Sequence, residues 1–187
     1  GYGAVTITKS ITIDCRNTQG SILSAGTNGI IINIAETDTK KAVKLRGFSI
    51  NGAGTGINGV RILAAKNVNI EQVVMDGFTQ HGVAIENAVG LVKVAIDKCS
   101  ITSSTGNGIN GFSVGTAEIM VSNSMLSGNN IAINAASNGT TFRLSGNTIT
   151  FNTTGLSAST GKIVSFKNNA IDGNGTNGAP TSTAALQ

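Results

Sequence analysis

One pair of apolar positions, repeated at a nearly constant interval, constrains this chain more than any other feature. The pair reads Val43/Leu45, Val68/Ile70, Val94/Ile96, Ile119/Val121, Phe142/Leu144 and Val164/Phe166, with first members 25, 26, 25, 23 and 22 residues apart. Two apolar residues flanking one of the opposite face is the signature of a half-buried strand. A second pair keeps a similar interval: Ile30/Ile32, Val60/Ile62, Val83/Ile85, Ile131/Ile133 and Leu156/Ala158, with Ile109 facing a partner slot held by Gly111. A third series runs Ile50, Met75, Ile101, Leu126, Ile149, Ile171. One such unit could not bury its apolar atoms alone, but a stack of them can. Three short strands per repeat of 22–26 residues, with no helical window between them, predict an all-β right-handed parallel β-helix of about seven coils. The hand is the one that parallel crossovers adopt. A leucine-rich consensus is missing, and propeller blades would be about 40 residues long.

A turn slot supports the register: Asn28-Gly29, Asn58-Gly59, His81-Gly82, Asn107-Gly108, Asn129-Asn130 and Thr154-Gly155. Gly, Asn and His tolerate positive φ best, so this slot is expected to be left-handed on every rung. The solenoid is assigned to residues 1–175, with an irregular first coil over 5–29 and a tail over 176–187. In that first coil Val5/Ile7 reads as the earliest first-strand pair, 38 residues before Val43/Leu45, with Asp14–Gly26 as an insertion. Glu36–Lys41 is a second excursion. The opening Gly1-Tyr2-Gly3 leads almost directly into strand residues, so a leader and a polar N-terminal cap are expected to be missing from this chain.

Composition adds limits. At 40% hydrophobic and 12% charged, the chain is neither disordered nor a coiled coil. No run of 18 apolar residues exists, which excludes a membrane-spanning helix. The net charge of +4 favours an acidic polysaccharide or a negative cell surface as partner. Basic residues are not interleaved with aromatics, so nucleic acid is not expected. Aromatic content of 4% without tryptophan is low for a sugar-stacking cleft. The outward column Ile31, Arg61, Ala84, Asn110, Ala132, Ser157 holds no threonine array of the kind ice binding needs.

The opening Ala4-Val-Thr-Ile-Thr-Lys-Ser-Ile-Thr-Ile-Asp14 and rungs such as Leu144-Ser-Gly-Asn-Thr-Ile149 and Phe166-Lys-Asn-Asn-Ala-Ile171 resemble pectin-lyase-like parallel β-helix proteins, and in particular uncharacterised secreted bacterial members. The resemblance covers residues 4–175. It implies the fold and an extracellular or periplasmic location. It leaves activity open, because lyases, hydrolases, epimerases, phage spikes and adhesins share such repeats.

Chemistry in a stack of this kind sits on outward positions, where equivalent residues lie about 4.8 Å apart from rung to rung. The slot after the second inward residue reads Arg46, Glu71, Asp97, Ser122, Ser145, Lys167. Glu71 and Asp97 could together ligate Ca²⁺, or one could be a general acid beside its neighbour, with Arg46 as the basic residue. The competing reading is a surface ladder neutralised by Arg46, Lys93 and Lys98. His81 is the only histidine, and Gln80-His81-Gly82 loosely resembles the Gly-His-Gly of polygalacturonase-like hydrolases. The Asn-Thr-Asp, Asp-Asp and Arg-Ile-Lys elements of those enzymes are not in this sequence, and His81 fills a turn slot that asparagine fills elsewhere. Cys15 and Cys99, 84 residues apart on different rungs, are expected to be unpaired. Asn147 and Asn169 share a slot and should form an amide ladder.

Two readings of function follow. The first is a non-catalytic secreted or cell-surface scaffold or interaction module with weak glycan binding and no cofactor. The second is a pectin-lyase-like polysaccharide lyase or hydrolase acting on acidic polysaccharide through Arg46, Glu71 and Asp97, with Ca²⁺. A phage-type spike or adhesin fragment would be trimeric.

Overall fold

A computed structural model describes residues 3–88 and 90–185; Gly1 and Tyr2 of the opening segment, with Val89, Leu186 and Gln187, lie outside the described residues. The fold is all-β: parallel strands stack into a β-solenoid of about seven turns. An eight-stranded sheet runs in chain order through Ile11–Asp14, Ala42–Arg46, Asn67–Glu71, Leu91–Asp97, Thr116–Ser122, Thr140–Ser145, Lys162–Ser165 and Ser182–Thr183. A twelve-stranded sheet has two limbs, one through Ser100–Thr102 and Met125–Ser127, the other through Asn107–Gly111 and Ile131–Ala135. The long strands Phe48–Ala64 and Val74–Ile85 carry both limbs, so in those coils two of the three short strands fuse. Among the described residues no helix is long and apolar enough to cross a membrane.

The core is a set of inward ladders. Ile11, Val43, Val68, Val94, Ile119, Phe142 and Ile163 are successive partners in the eight-stranded sheet. All but the first are buried. Burying each such side chain contributes roughly 1.5–3 kcal/mol before conformational entropy is set against it. The series Ile50, Met75, Ile101, Leu126, Ile149 and Ile171 is likewise in register, and Ile22 precedes it.

Four details of the register differ from the sequence expectation. In the last rung Ile163 and Ser165, not Val164 and Phe166, face inward. A short run with two alternating phases fits either way, and pairing decides between them. Here the inward Ser165 hydroxyl accepts from Asn169 Nδ2 and from the Lys167 amide, which fixes the phase. In the sixth coil Ile133 and Ala135 align with Ile109 and Gly111, so the pair lies two residues beyond Ile131/Ile133. Ile131 has the same parity, and alternation cannot separate the two choices. The outward position there is Asn134 rather than Ala132. In the first coil Val5/Ile7 pairs with Ile30/Ile32, and Ile11/Ile13 pairs with Val43/Leu45. Two near-identical strands in the first 14 residues made the assignment ambiguous. The extra residues of this coil lie around Cys15–Gln19, and the 35–41 excursion is present.

The fourth difference concerns the turns. Among the described residues none of the expected slot has positive φ. Glycine is needed there for space: a Cβ on Gly59 would lie 2.6 Å from Gly82 O, and one on Gly82 would lie 2.7 Å from Gly108 O. Most of the left-handed positions form two other columns. Gly47, Gln72, Lys98, Asn123, Gly146 and Lys167 follow the strands of the eight-stranded sheet, and Gly77, Ser103, Gly128, Phe151 and Gly173 follow the next strands. A single left-handed residue turns the chain sharply while leaving the flanking strands free to pair.

Amide ladders line the same corners. Asn147 Nδ2 donates to Asn169 Oδ1 at 2.9 Å, as expected, and the column continues upward because Ser124 N donates to Asn147 Oδ1. A second ladder links Asn129, Asn152 and Asn174 by side-chain bonds of 3.0 and 2.9 Å. Beyond residue 175, Thr176 bridges Thr154, and Ser182–Thr183 pairs with Lys162–Ser165, so the tail lies on the last rung.

Candidate functional site

The outward column of the eight-stranded sheet places Arg46, Glu71, Asp97, Ser122 and Ser145 in register on successive rungs. Two amendments follow from the pairing. Asp14 heads the column as the partner of Arg46. Phe166 rather than Lys167 follows Ser145, because Leu144 pairs with Ser165. The signal for Asp14 was present in the sequence: Ile11-Thr-Ile13-Asp14 repeats the pattern Val43-Lys-Leu45-Arg46.

The charges along this column run acid, base, acid, acid: Asp14, Arg46, Glu71 and Asp97. Arg16 holds Asp14 through Nη2 to Oδ2 at 2.7 Å, and Arg46 Nη1 stands 3.9 Å from the same oxygen. Hydrogen bonds from the Arg16 side chain and amide hold the Asp14 carboxyl down at about 2. Arg46 Nε approaches Glu71 Oε2 to 3.0 Å, a charge contact without the alignment of a hydrogen bond. Asp97 turns the other way. Its Oδ1 accepts from Ser122 Oγ at 2.7 Å and Asn123 Nδ2 at 2.8 Å, and Lys98 Nζ stands 4.0 Å from Oδ2. Partial desolvation raises the Asp97 pKa, but those two hydrogen bonds and the Lys98 charge outweigh it and leave the group below the ordinary carboxylate value.

Glu71 and Asp97 are therefore adjacent, yet each is drawn to a different rung: Glu71 back to Arg46, Asp97 forward to Ser122 and Asn123. An ionised Asp97 held low is an acceptor rather than a proton donor at neutral pH. Among the described residues no three His, Cys, Asp or Glu side chains gather in a way that could hold a metal ion.

His81 stands apart from this column, on the twelve-stranded sheet, aligned with Asn58. Its amide donates to Asn58 Oδ1, and its Nδ1 accepts from the Asn107 amide at 3.1 Å. Burial lowers its pKa, while the Glu86 charge opposes that shift. The ring is thus a neutral spacer in an amide column. Glu86 itself is paired with Arg61 at 2.7 Å. Cys15 and Cys99 are both free thiols, and burial pushes Cys99 up to about 11.

Among known proteins, a family model described as a right-handed beta helix region matches residues 58–185. No curated protein and no solved structure matches the chain. The matched stretch begins inside the third coil and runs through the last strand of the eight-stranded sheet, which is more than half of the sequence. Stacked parallel coils and that match agree: the chain belongs to the right-handed β-helix family.

Proposed function

We propose that this chain is a non-catalytic β-helix module of a secreted or cell-surface protein, a rigid rod that displays its outer faces to glycans. The observation that carries this reading is the fate of the chemically capable residues. Arg46 and Glu71 are paired in charge, Asp97 is bound by Ser122 and Asn123, and His81 Nδ1 is taken by a backbone amide one rung away. Among the described residues the neighbouring carboxylates Glu71 and Asp97 are drawn to different rungs rather than turned to one point, as the carboxylate pair of a glycoside-cleaving site must be.

The test is incubation with polygalacturonate and alginate, following unsaturated-product absorbance and reducing ends. No turnover is expected, in wild type or in a Glu71→Gln/Asp97→Asn variant. Turnover that disappears in the variant would overturn the reading in favour of a lyase or hydrolase working through Arg46, Glu71 and Asp97. Calorimetric titration with Ca²⁺ gives an independent check: heat of binding lost in the same variant would make that pair a metal site.

A further inference from the structure

Asparagine followed by glycine is a dipeptide open to self-modification, because the glycine amide carries no side chain to hinder its attack on the asparagine Cγ. The sequence holds eight such pairs. Seven of them are engaged by the solenoid itself. Asn58, Asn107 and Asn110 are buried. Asn28 Oδ1 accepts from Asn58 Nδ2 at 2.8 Å. Asn174 Nδ2 donates to Ile149 O and to Asn177 Oδ1, which ties two of the pairs to each other and to the last rungs. Asn51 is exposed, but its Oδ1 accepts from the Ala53 amide at 2.7 Å, and Gly52 lies inside the strand Phe48–Ala64.

Asn138-Gly139 is the exception. Asn138 is exposed in the turn over 137–140, between the strands Ile131–Ala135 and Thr140–Ser145. Among the described residues its side chain makes no hydrogen bond, and the Gly139 amide donates to no partner. The turn is closed around them by its ends: Thr140 N donates to Ser137 O at 3.0 Å, and Ser137 Oγ lies 2.9 Å from Thr140 Oγ1. Ala117 N holds Gly139 O at 2.8 Å. Only glycine fits at 139, since a Cβ there would lie 2.3 Å from Gly115 O. Close approach of two coils thus demands the residue that leaves Asn138 open to attack.

We infer that Asn138 is a site of spontaneous deamidation, reacting in the folded chain ahead of the other seven pairs. The Gly139 amide loses its proton to hydroxide, and its nitrogen attacks Asn138 Cγ. The new C–N bond closes a five-membered succinimide, the Cγ–Nδ2 bond breaks, and Nδ2 takes up a proton from water and leaves as ammonia. Water then opens the ring at either carbonyl, giving aspartate or isoaspartate; nothing is oxidised or reduced. Each hydrogen bond that must open before attack slows the reaction roughly two- to tenfold, and attack at Asn138 waits for none. The product carboxylate lowers the formal charge of +4 by one. The isoaspartate form also inserts a methylene into the main chain beside fully buried Thr140.

The experiment is storage of the whole folded chain in mildly alkaline buffer, with samples taken over weeks. Peptide mapping by mass spectrometry locates each amide-to-acid change, and electron-transfer fragmentation separates aspartate from isoaspartate. Conversion at Asn138 is expected first, at least about tenfold faster than at Asn51 or Asn177, each of which has a hydrogen bond to open. Isoaspartate should outweigh aspartate, and the amides of Thr140 and Ala117 should exchange faster in the product. Asn138→Gln, which would have to close a larger ring, should remove the earliest ammonia release and leave the melting curve unchanged. In concentrated guanidinium chloride the eight pairs should react at similar rates, since the bonds that protect seven of them are gone. The proposal is overturned if Asn51 or Asn177 keeps pace with Asn138 in the folded chain, if early ammonia release survives in Asn138→Gln, or if Asn138 keeps its lead in denaturant.

Discussion

At the residue scale the fold depends on positions where side-chain chemistry meets a constrained backbone. Gln72 is exposed and sits at φ 54 in a column that Gly47 and Gly146 also occupy. A non-glycine residue there costs on the order of 1–3 kcal/mol, offset in part by its lower unfolded-state entropy. Gln72→Gly is therefore expected to raise stability by up to about 1 kcal/mol, read as a higher denaturant midpoint at constant slope. Gly82→Ala should do the opposite, because the new Cβ would fall 2.3 Å from Ile101 Cγ2; overpacking of this kind costs about 1–3 kcal/mol. His81 links stability to pH. Its folded pKa lies below the ordinary 6.5, so the unfolded chain binds the proton more readily and stability falls as pH drops below that value. Replacing His81 by Asn, whose Oδ1 can accept as Asn58 does, should flatten that part of the curve. Melting temperatures of the two proteins at pH 7 and pH 5 measure the difference directly; an equal drop in both would show that carboxylates alone drive it.

At the element scale, stability comes from columns rather than from single strands. Asn152 illustrates this: its Oδ1 accepts from Asn129, while its Nδ2 donates to Leu126 O, Thr150 O and Asn174 Oδ1. Asn152→Ala leaves the buried Asn129 amide and a carbonyl unpaired and should cost about 2–4 kcal/mol. Val94→Asp should be worse, above about 4 kcal/mol, since it buries a carboxylate between Val68 and Ile119. Unchanged melting of that variant would contradict the inward assignment. The strand ladders were legible in the sequence because burial imposes a period of two within strands and one coil between them. Phase was not legible wherever both parities carried apolar residues, as in Ile163-Val164-Ser165-Phe166, nor where a shift of two preserved parity, as at Ile131. The turn column was misplaced for a different reason. Glycine serves both close approach and positive φ, and sequence alone does not say which need it meets at Gly59 or Gly82. The site column was legible from Arg46 to Ser145. Of its partners, Arg46 and Lys98 stood in the surface-ladder reading and lie beside Glu71 and Asp97, whereas Ser122 and Asn123 as donors to Asp97 were not legible, because that choice depends on side-chain rotamers.

At the scale of the whole molecule the two ends differ. At the C-terminal end the tail from Thr176 to Thr183 lies over the last rung. At the other end, Val5–Ile7, Ile11–Asp14 and Gly20–Leu23 each pair on one side only among the described residues, and Val5, Ile11 and Leu23 are exposed. In a stack whose rungs touch mainly their neighbours, such an edge opens first. Hydrogen exchange should show the slowest amides over Val68–Leu144 and the fastest over the first coil. Uniform protection from end to end would indicate that the stack opens as a single unit. The direction of the bonds between rungs has a mechanical consequence. Because they run along the solenoid axis, a force applied between the two termini loads one rung at a time, like a coil of tape unwinding from its end. Each release frees one coil of 22–26 residues, about 80 Å of extended chain. A rod of this construction is stiff under sideways load yet pays out its length in regular steps when its ends are pulled.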